Sequence, residues 1–483
     1  MEPMRPSAFN LRVPTMDGDV FLLNTLTDAQ LVVSGDVVAL LDRIGGDAGP
    51  RSGLGADERE ALQTLADNGF VIEDEGTERA ALESFFASFR EDASQLRITI
   101  LTTLQCNFAC DYCYQGDHGI GPVGEKMSLE TAARVAEWVG RQVDAVKPSR
   151  LVLTFFGGEP LLNIPALMRI AESCHAHAAS RGIEQIVSII TNGLLLTPQL
   201  VDRLLPLGLT GVKVTLDGDR ETHDRMRPLR GGQGTFDRII ENVRRDAGKV
   251  PVAIGGNFDV STADRYPALL DFLKGEAFAP RLSTITFKPV IKPAAAPGAT
   301  APRTVDGRVI IPVTPVDTNR PPLNGSCMSA AGASSGSICD NCHFVDDQMS
   351  FLREETRRRG FATADGVHMG PCELYRRHSH TIGPDGSLYA CPGFTGDNAL
   401  SVGHISGRRD SAQADAAGRF DALAPWRQCG DCSFIPVCGG GCAVAAHAEL
   451  GDMETPSCHK RSFESALVSL AEEAVGASTG RVQ

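Results

Sequence analysis

The sequence has no run of apolar residues approaching the roughly 20 that a membrane-crossing helix needs. Its opening, MEPMRPSAFNLRVP, lacks the basic-then-apolar layout of a secretory signal. Basic residues are in deficit: 46 Lys and Arg against 60 Asp and Glu leave a formal charge of −14. That balance argues against a nucleic-acid partner, which favours a basic surface, and reads as a solvated acidic exterior that names no partner. Hydrophobic content of 42% with 22% charged residues excludes a disordered or membrane chain. A length of 483 residues exceeds one ordinary core, so two or three domains are expected. Together these absences predict a cytoplasmic protein, whose thiols stay reduced. Its fourteen cysteines are then metal ligands rather than disulfides, and their spacing decides.

Residues 1–90 are expected to form a small α+β domain. FNLRVP and DVFLLNTL read as strands around the Asp17-Gly18 turn signal. VVALLDRIGG and ADEREALQTLADNGF read as helices, the second placing Leu62, Leu65 and Phe70 on one face. Over residues 96–291 the texture becomes α/β. RITILTTL, RLVLTFFGG, QIVSIITNG, GVKVTLDG, VAIGGNFD and STITFKPVI alternate with helical stretches. Strands buried on both faces and separated by helices predict a parallel sheet. The expected fold is a six-stranded partial (β/α)6 TIM-like barrel with functional residues at the C-terminal strand ends. Residues 292–345 begin as a Pro- and Ala-rich linker and hold three extra cysteines; residues 346–483 make a cysteine-rich C-terminal domain. No internal repeat is present at solenoid spacing.

Chemistry begins at TTLQCNFACDYCYQ, directly after the first barrel strand. Cys106, Cys110 and Cys113 stand in the pattern Cys-x3-Cys-x2-Cys, and three thiolates on one loop can ligate three irons of a [4Fe–4S] cube. With no fourth cysteine nearby, one iron stays open for chemistry. A zinc knuckle, the alternative, is normally closed by four ligands. The spacing, with aromatic Tyr112 before the third cysteine, resembles the radical SAM (S-adenosylmethionine) superfamily. That resemblance implies that the open iron is chelated by SAM and that one electron cleaves the sulfonium to a 5′-deoxyadenosyl radical.

Further motifs fall at strand ends. In FFGGEP, Gly157 and Gly158 permit close backbone approach and Glu159 supplies an acceptor; in the resembling family this motif binds the methionine amino group of SAM. Thr191 and Asn192 of IITNG could hydrogen-bond a ribose, although an Asn-Gly turn explains them too. In VTLDGDRETHDRMR, the resemblance points Thr215 and Asp217 at the SAM pocket, with His223, Asp224 and Arg225 ordering the loop. Asn257 is a weaker candidate. GGQG at 231–234 follows no strand, so a phosphate loop is not expected there.

The second constellation runs Cys372-x13-Gly386-x4-Cys391, then Cys429-x2-Cys432-x5-Cys438-x3-Cys442, then Cys458. It resembles the SPASM extension of peptide-modifying radical SAM enzymes, with zinc as the alternative. The resemblance implies two auxiliary [4Fe–4S] clusters, an outer one on Cys429, Cys432, Cys438 and Cys458 and an inner one on Cys372, Cys391 and Cys442. Fully ligated members add a cysteine shortly after the first; here CELYRRHSHTIG offers only His378 and His380, which leaves the fourth ligand open. Cys327, Cys339 and Cys342 fall outside the pattern, available to a cluster, to zinc with His343, or as free thiols. Cys174 reads as an ordinary buried cysteine.

The SPASM resemblance, and the likeness of residues 1–90 to a small winged-helix-like peptide-binding domain, imply a maturase. It would oxidatively modify or crosslink a ribosomally made peptide and draw electrons from a flavodoxin- or ferredoxin-type reductant. The N-terminal layout also resembles the radical SAM maturases of His-Xaa-Ser peptides. A formylglycine-forming anaerobic sulfatase maturase is the second reading. That group carries an aspartate directly after the cysteine of the Gly-x4-Cys element, where this chain has Pro392. A small-molecule dehydrogenase or mutase, and a zinc-stabilised non-enzymatic binding module, stand behind it.

Overall fold

A computed structural model describes residues 4–15, 17–45, 54–115, 126–259, 261–291, 303–305, 308–310, 340–363 and 370–479. The N-terminal unit is built on an antiparallel meander of β2 (Asn10–Pro14), β3 (Val20–Asn24) and β4 (Ala29–Val33). Before it lies β1 (Arg5–Pro6); after it come α1 (Gly35–Gly45), α2 (Ala56–Asp67), β5 (Val71–Ile72), which pairs with β1, and α3 (Glu75–Glu91). The expected turn joins β2 to β3, and Gly18 takes a positive φ there. Neither β4 nor α3 was foreseen.

Alternation along β3 gives its two faces separate partners. Leu22 packs with Leu40, Leu41, Leu62, Leu65 and Phe70 beneath the first two helices. Phe21 and Leu23 face a helix at the far end of the chain.

The barrel alternates β6 (Gln95–Leu101), α4 (Leu129–Val146), β7 (Arg150–Phe156), α5 (Ile164–Ala179), β8 (Glu184–Thr191), α6 (Pro198–Leu204) and β9 (Leu209–Thr215). It continues through α7 (Arg220–Met226), α8 (Phe236–Asp246), β10 (Val252–Phe258), α9 (Tyr266–Lys274) and β11 (Leu282–Pro289). The six strands are parallel and adjacent in chain order, as expected for a partial barrel. Burial on both faces is not what the sheet adopts. Leu96, Ile98, Ile100, Leu151, Leu153 and Phe155 are buried under the helices. The inner face carries half-buried hydroxyls such as Thr154 and Ser188, bonded to each other at 3.0 Å. A barrel that does not close leaves its lumen accessible, so polar residues suit it.

The remaining elements are a short hairpin of β12 (Arg303–Val305) and β13 (Arg308–Ile310) inside the stretch expected as linker, then α10 (Asp340–Arg358), β14 (Ser379–Ile382), β15 (Ser387–Tyr389), β16 (Gly403–His404), α11 (Ser411–Ala422), α12 (Ile435–Cys438), α13 (Ala443–Leu450) and α14 (Lys460–Thr479). They are not an appended module. β14 pairs in parallel with β6, and β15 and β16 follow antiparallel, extending the sheet to nine strands. α10 serves as the helix after β11: Arg359, just beyond it, bonds Asp271 of α9 at 2.6 Å and Glu355 at 2.7 Å, and Ile285 N donates to Ala362 O. Cys327 and Cys339 lie outside the described residues, as does the side chain of Cys342.

The N-terminal unit sits on the cysteine-rich region. Phe86 of α3 stacks on Trp426 with centroids 4.3 Å apart, and α14 covers Phe21 and Leu23 through Ala466, Leu467 and Leu470. Among the described residues no helix is long and apolar enough to cross a membrane. Both rings of the stack are buried, so Trp426→Ala is expected to cost about 3–5 kcal/mol and to lower the melting temperature clearly. An unchanged melting curve would show that the two regions do not depend on this contact.

Candidate functional site

The first three cysteines lie on the loop after β6, where a parallel barrel presents its strand ends. Two backbone bonds sew this loop to the next strand end: Gly158 N donates to Thr103 O at 3.0 Å and Glu159 N to Gln105 O at 2.9 Å. Gly157 has a φ of +134°, and a side chain at Gly158 would overlap the carbonyls of Leu104 and Gln105. The double glycine is therefore a steric requirement of bringing the two loops together.

Cys106, Cys110 and Cys113 are neighbours in space, close enough to influence one another's charge. Burial pushes the Cys106 thiol up to about 12 and raises Cys110, with Arg227 opposing the shift at Cys110. Thiols in such surroundings become thiolates when a metal supplies the compensating charge.

Glu159 is wholly buried and engaged: Leu161 N donates at 3.0 Å, Thr191 Oγ1 at 2.7 Å and Asn192 N at 2.8 Å. It ties the end of β7 to the end of β8. Asn192 reaches on to the cysteine loop, its Nδ2 donating to Asn107 Oδ1 at 2.8 Å. Thr191 and Asn192 thus act first on Glu159 and the loop.

Asp217, also fully buried, accepts from Asn257 N at 2.7 Å and from the Tyr112 hydroxyl, and pairs with Arg227 at 3.4 Å. Arg227 also donates to the Tyr112 hydroxyl. Burial raises the Asp217 carboxyl and Arg227 opposes it. Thr215 ends β9 two residues before this group. His223 is held neutral by burial; its Nδ1 accepts from Asp217 N at 3.1 Å and its Nε2 lies 3.1 Å from Thr235 Oγ1. Asp224 caps α8 through Thr235 N and Phe236 N. Among the described residues Arg225 makes no comparable contact.

Sequence reading missed Arg227. Arg227 follows directly on α7, its N–H bonded to the carbonyl of His223, and so comes to lie beside Asp217.

The C-terminal cysteines gather in two groups. Cys391 lies near Cys372 and Cys442, and Cys438 near Cys429, Cys432 and Cys458. Gly441 lets the second group assemble: with φ +92° it lies where any side chain would overlap Ser457 O, and Ser457 N donates to Gly440 O at 2.9 Å. This contact brings Cys458 up from the distant chain. Among the described residues, no three His, Cys, Asp or Glu side chains close around a single ion; thiolates spread over the corners of a cube need not do so. His380 shares the sheet face of Ile98 and packs edge-on against Trp138 at 5.3 Å, whereas Thr381 and Tyr389, the strand residue nearest Cys391, belong to the other face. His380 is therefore a packing residue, held neutral with a pKa near 4 by burial. Cys174 is buried in α5, as expected.

The sequence model of the Radical SAM superfamily matches residues 100–258, the segment that carries all of these strand-end motifs. Those residues are a radical SAM domain. Fe-coproporphyrin III synthase of Methanosarcina barkeri is 28% identical over 42% of this chain and 46% of its own length, so the match spans less than half of that relative. The serine-type anaerobic sulfatase-maturating enzyme of Klebsiella aerogenes is 22% identical over 71% of this chain and 78% of its own. The solved structure of native anSMEcpe with bound AdoMet superposes with a TM-score of 0.55 at 15% identity, over 79% of this chain and 99% of that one, which is a likeness of fold.

A radical SAM domain binds a [4Fe–4S] cluster and SAM, and the residues present fit both. Three thiols converge on one loop, with no fourth beside them among the described residues. Beside them the buried Arg227 Nε has no hydrogen-bond partner among the described residues, a donor suited to an anionic group of a ligand.

Two outcomes follow. Arg227→Met strands the Asp217 carboxylate, with an expected cost of about 3–5 kcal/mol near neutral pH. Because burial raises this carboxyl in the folded state, the penalty should shrink as the pH falls toward 3.8 and the group takes a proton. The gap in melting temperature between variant and parent should narrow accordingly; a gap independent of pH would refute the pairing. Gly441→Ala should remove about four irons of roughly a dozen by iron analysis, because Cys458 can no longer approach its partners.

Proposed function

We propose that this chain is a cytoplasmic radical SAM peptide maturase that oxidatively modifies or crosslinks a ribosomally made peptide. The observation that carries this reading is the conjunction of one open three-cysteine loop with two further cysteine groups and an N-terminal sheet seated on the outer group. When bound, the cluster and SAM supply one-electron cleavage of the sulfonium to a 5′-deoxyadenosyl radical, which is strong enough to take hydrogen from an unactivated C–H bond.

The protein's share is placement. Cys106, Cys110 and Cys113 hold the cluster. Gly157 and Gly158 give backbone approach to the methionine end of SAM, and Glu159 keeps Thr191 and Asn192 fixed beside it. Arg227 offers its free Nε to the carboxylate of SAM, while Tyr112 and Asp217 hold the guanidinium rigid. Cys372, Cys391 and Cys442, and separately Cys429, Cys432, Cys438 and Cys458, hold the auxiliary clusters, which make net oxidation feasible by accepting an electron from the substrate. An external flavodoxin- or ferredoxin-type protein supplies reducing power.

Residues 1–90 suit a leader peptide. β4 is the edge of its sheet, paired among the described residues only with β3, and its side chains alternate in exposure. An extended peptide can add there as a further strand. A formylglycine-forming activity is the second reading, favoured by the 71% coverage against a sulfatase-maturating enzyme. Pro392, which opens a short helical turn after Cys391 where that group has its aspartate, stands against it.

The decisive experiment incubates anaerobically loaded protein with SAM, reductant and peptides encoded beside its gene. We expect 5′-deoxyadenosine and a peptide lighter by two hydrogens, both abolished when Cys106, Cys110 and Cys113 become alanine. Well-loaded protein that yields no deoxyadenosine would overturn the radical chemistry; an aldehyde on a sulfatase peptide would transfer the assignment to the second reading.

A further inference from the structure

A cavity of about 470 Å³ opens between α4, the β14–β16 extension and α11. Its charge is the reverse of the chain's. Arg90, Arg376, Arg377, Arg408 and Arg409 line it with a single carboxylate, Asp421, on a protein whose formal charge is −14. Three of these arginines are tied to acidic neighbours: Arg376 to Asp92, Arg377 to Glu91 at 3.0 Å and Arg90 to Asp421 at 3.9 Å. Arg408 and Arg409 are exposed and form no ion pair among the described residues. They stand on the loop between β16 and α11, at the rim.

The cavity's position gives the charge a purpose. Its wall includes Leu374 and Tyr375, two and three residues after Cys372, and Tyr389 and Ala390, which lead directly into Cys391. The segments that carry Cys372 and Cys391 therefore also contribute to the wall of the basic concavity. Tyr375 is buried, with its hydroxyl bonded to Gly439 O at 2.8 Å, so this wall is also anchored to the glycine run between Cys438 of the outer group and Cys442 of the inner one.

We propose that this arginine-lined cavity is the docking site for an acidic electron-carrier protein of the flavodoxin or ferredoxin class, seated behind the inner cysteine group rather than at the radical SAM loop. Charge complementarity selects the partner: an acidic convex surface is steered to the rim by the two unpaired guanidinium groups of Arg408 and Arg409 and settles against a wall whose other arginines are already paired. A free small anion is disfavoured, since Arg408 and Arg409 are exposed rim groups and do not form a closed cradle. The inference relies on the proposed function only for the need of a carrier.

The test measures binding of a bacterial flavodoxin to the full, cluster-loaded chain. Wild-type protein is expected to bind with an affinity that falls steeply between about 50 and 300 mM salt. The Arg408→Glu/Arg409→Glu double variant should bind at least tenfold more weakly, while Arg203→Glu, an exposed reversal on α6, should bind as wild type. Equal binding by the double variant and wild type, equal loss in Arg203→Glu, or inorganic pyrophosphate occupying the cavity where flavodoxin does not, would each overturn the proposal. Deoxyadenosine formation driven by dithionite needs no docking and should survive in the double variant. Its absence from wild-type protein would overturn the proposed function, and the binding data would still decide the docking site.

Discussion

A carboxylate taken wholly out of water needs a counter-charge held in register, and the radical SAM domain is organised around one such demand. Asp217 follows the end of β9, Arg227 follows α7, Tyr112 stands inside the cysteine motif and Asn257 is the last residue but one of β10. No two of these belong to one element. An interaction of several kcal/mol when broken therefore fixes the mutual positions of a helix, two strand ends and the cysteine loop. Glu159 does the same on the other flank, where three donors replace the cation. The pocket is rigid before any ligand arrives, and preorganisation of this kind is what a positioning enzyme needs.

Much of this was legible in the chain, and for identifiable reasons. The barrel strands announced themselves as short β-branched runs ending in Gly, Asn or Asp, and the grouping of the C-terminal cysteines was readable from their spacing. The hidden parts depended on packing. β4 was overlooked because AQLVV is brief and runs into the following helix. Arg227 was one arginine among several in DRETHDRMRPLR, and only folding selected it for burial. The two sheet faces also differ in a way that apolar content does not reveal: Ile98 and its like lie under helices, while Thr154 and Ser188 line an open lumen.

The cysteine-rich region likewise proved more integrated than a boundary at residue 346 implies. Parallel pairing of β14 with β6 makes the first barrel strand an interior strand rather than an edge, and α10 completes the last β/α unit. The inner group is consequently carried on the same sheet as the radical SAM loop. Tyr114, one residue after Cys113, lies within electrostatic reach of both Cys113 and Cys391. Electron transfer between the two regions would cross continuous, hydrogen-bonded protein rather than a flexible linker.

The seat of the N-terminal meander bears on how the chain is made. Thr25 and Ser433, 408 positions apart, are joined by a hydrogen bond, and Phe21 and Leu23 are covered by α14, the final helix. During synthesis that apolar face leaves the ribosome long before its cover exists. The first unit must wait half-clothed until α14 has emerged, and Cys458, just before that helix, arrives only then. Gathering of the outer cysteine group is thereby a late step of biogenesis, and a chain cut before Cys458 would expose a sticky sheet as well as an incomplete cysteine set.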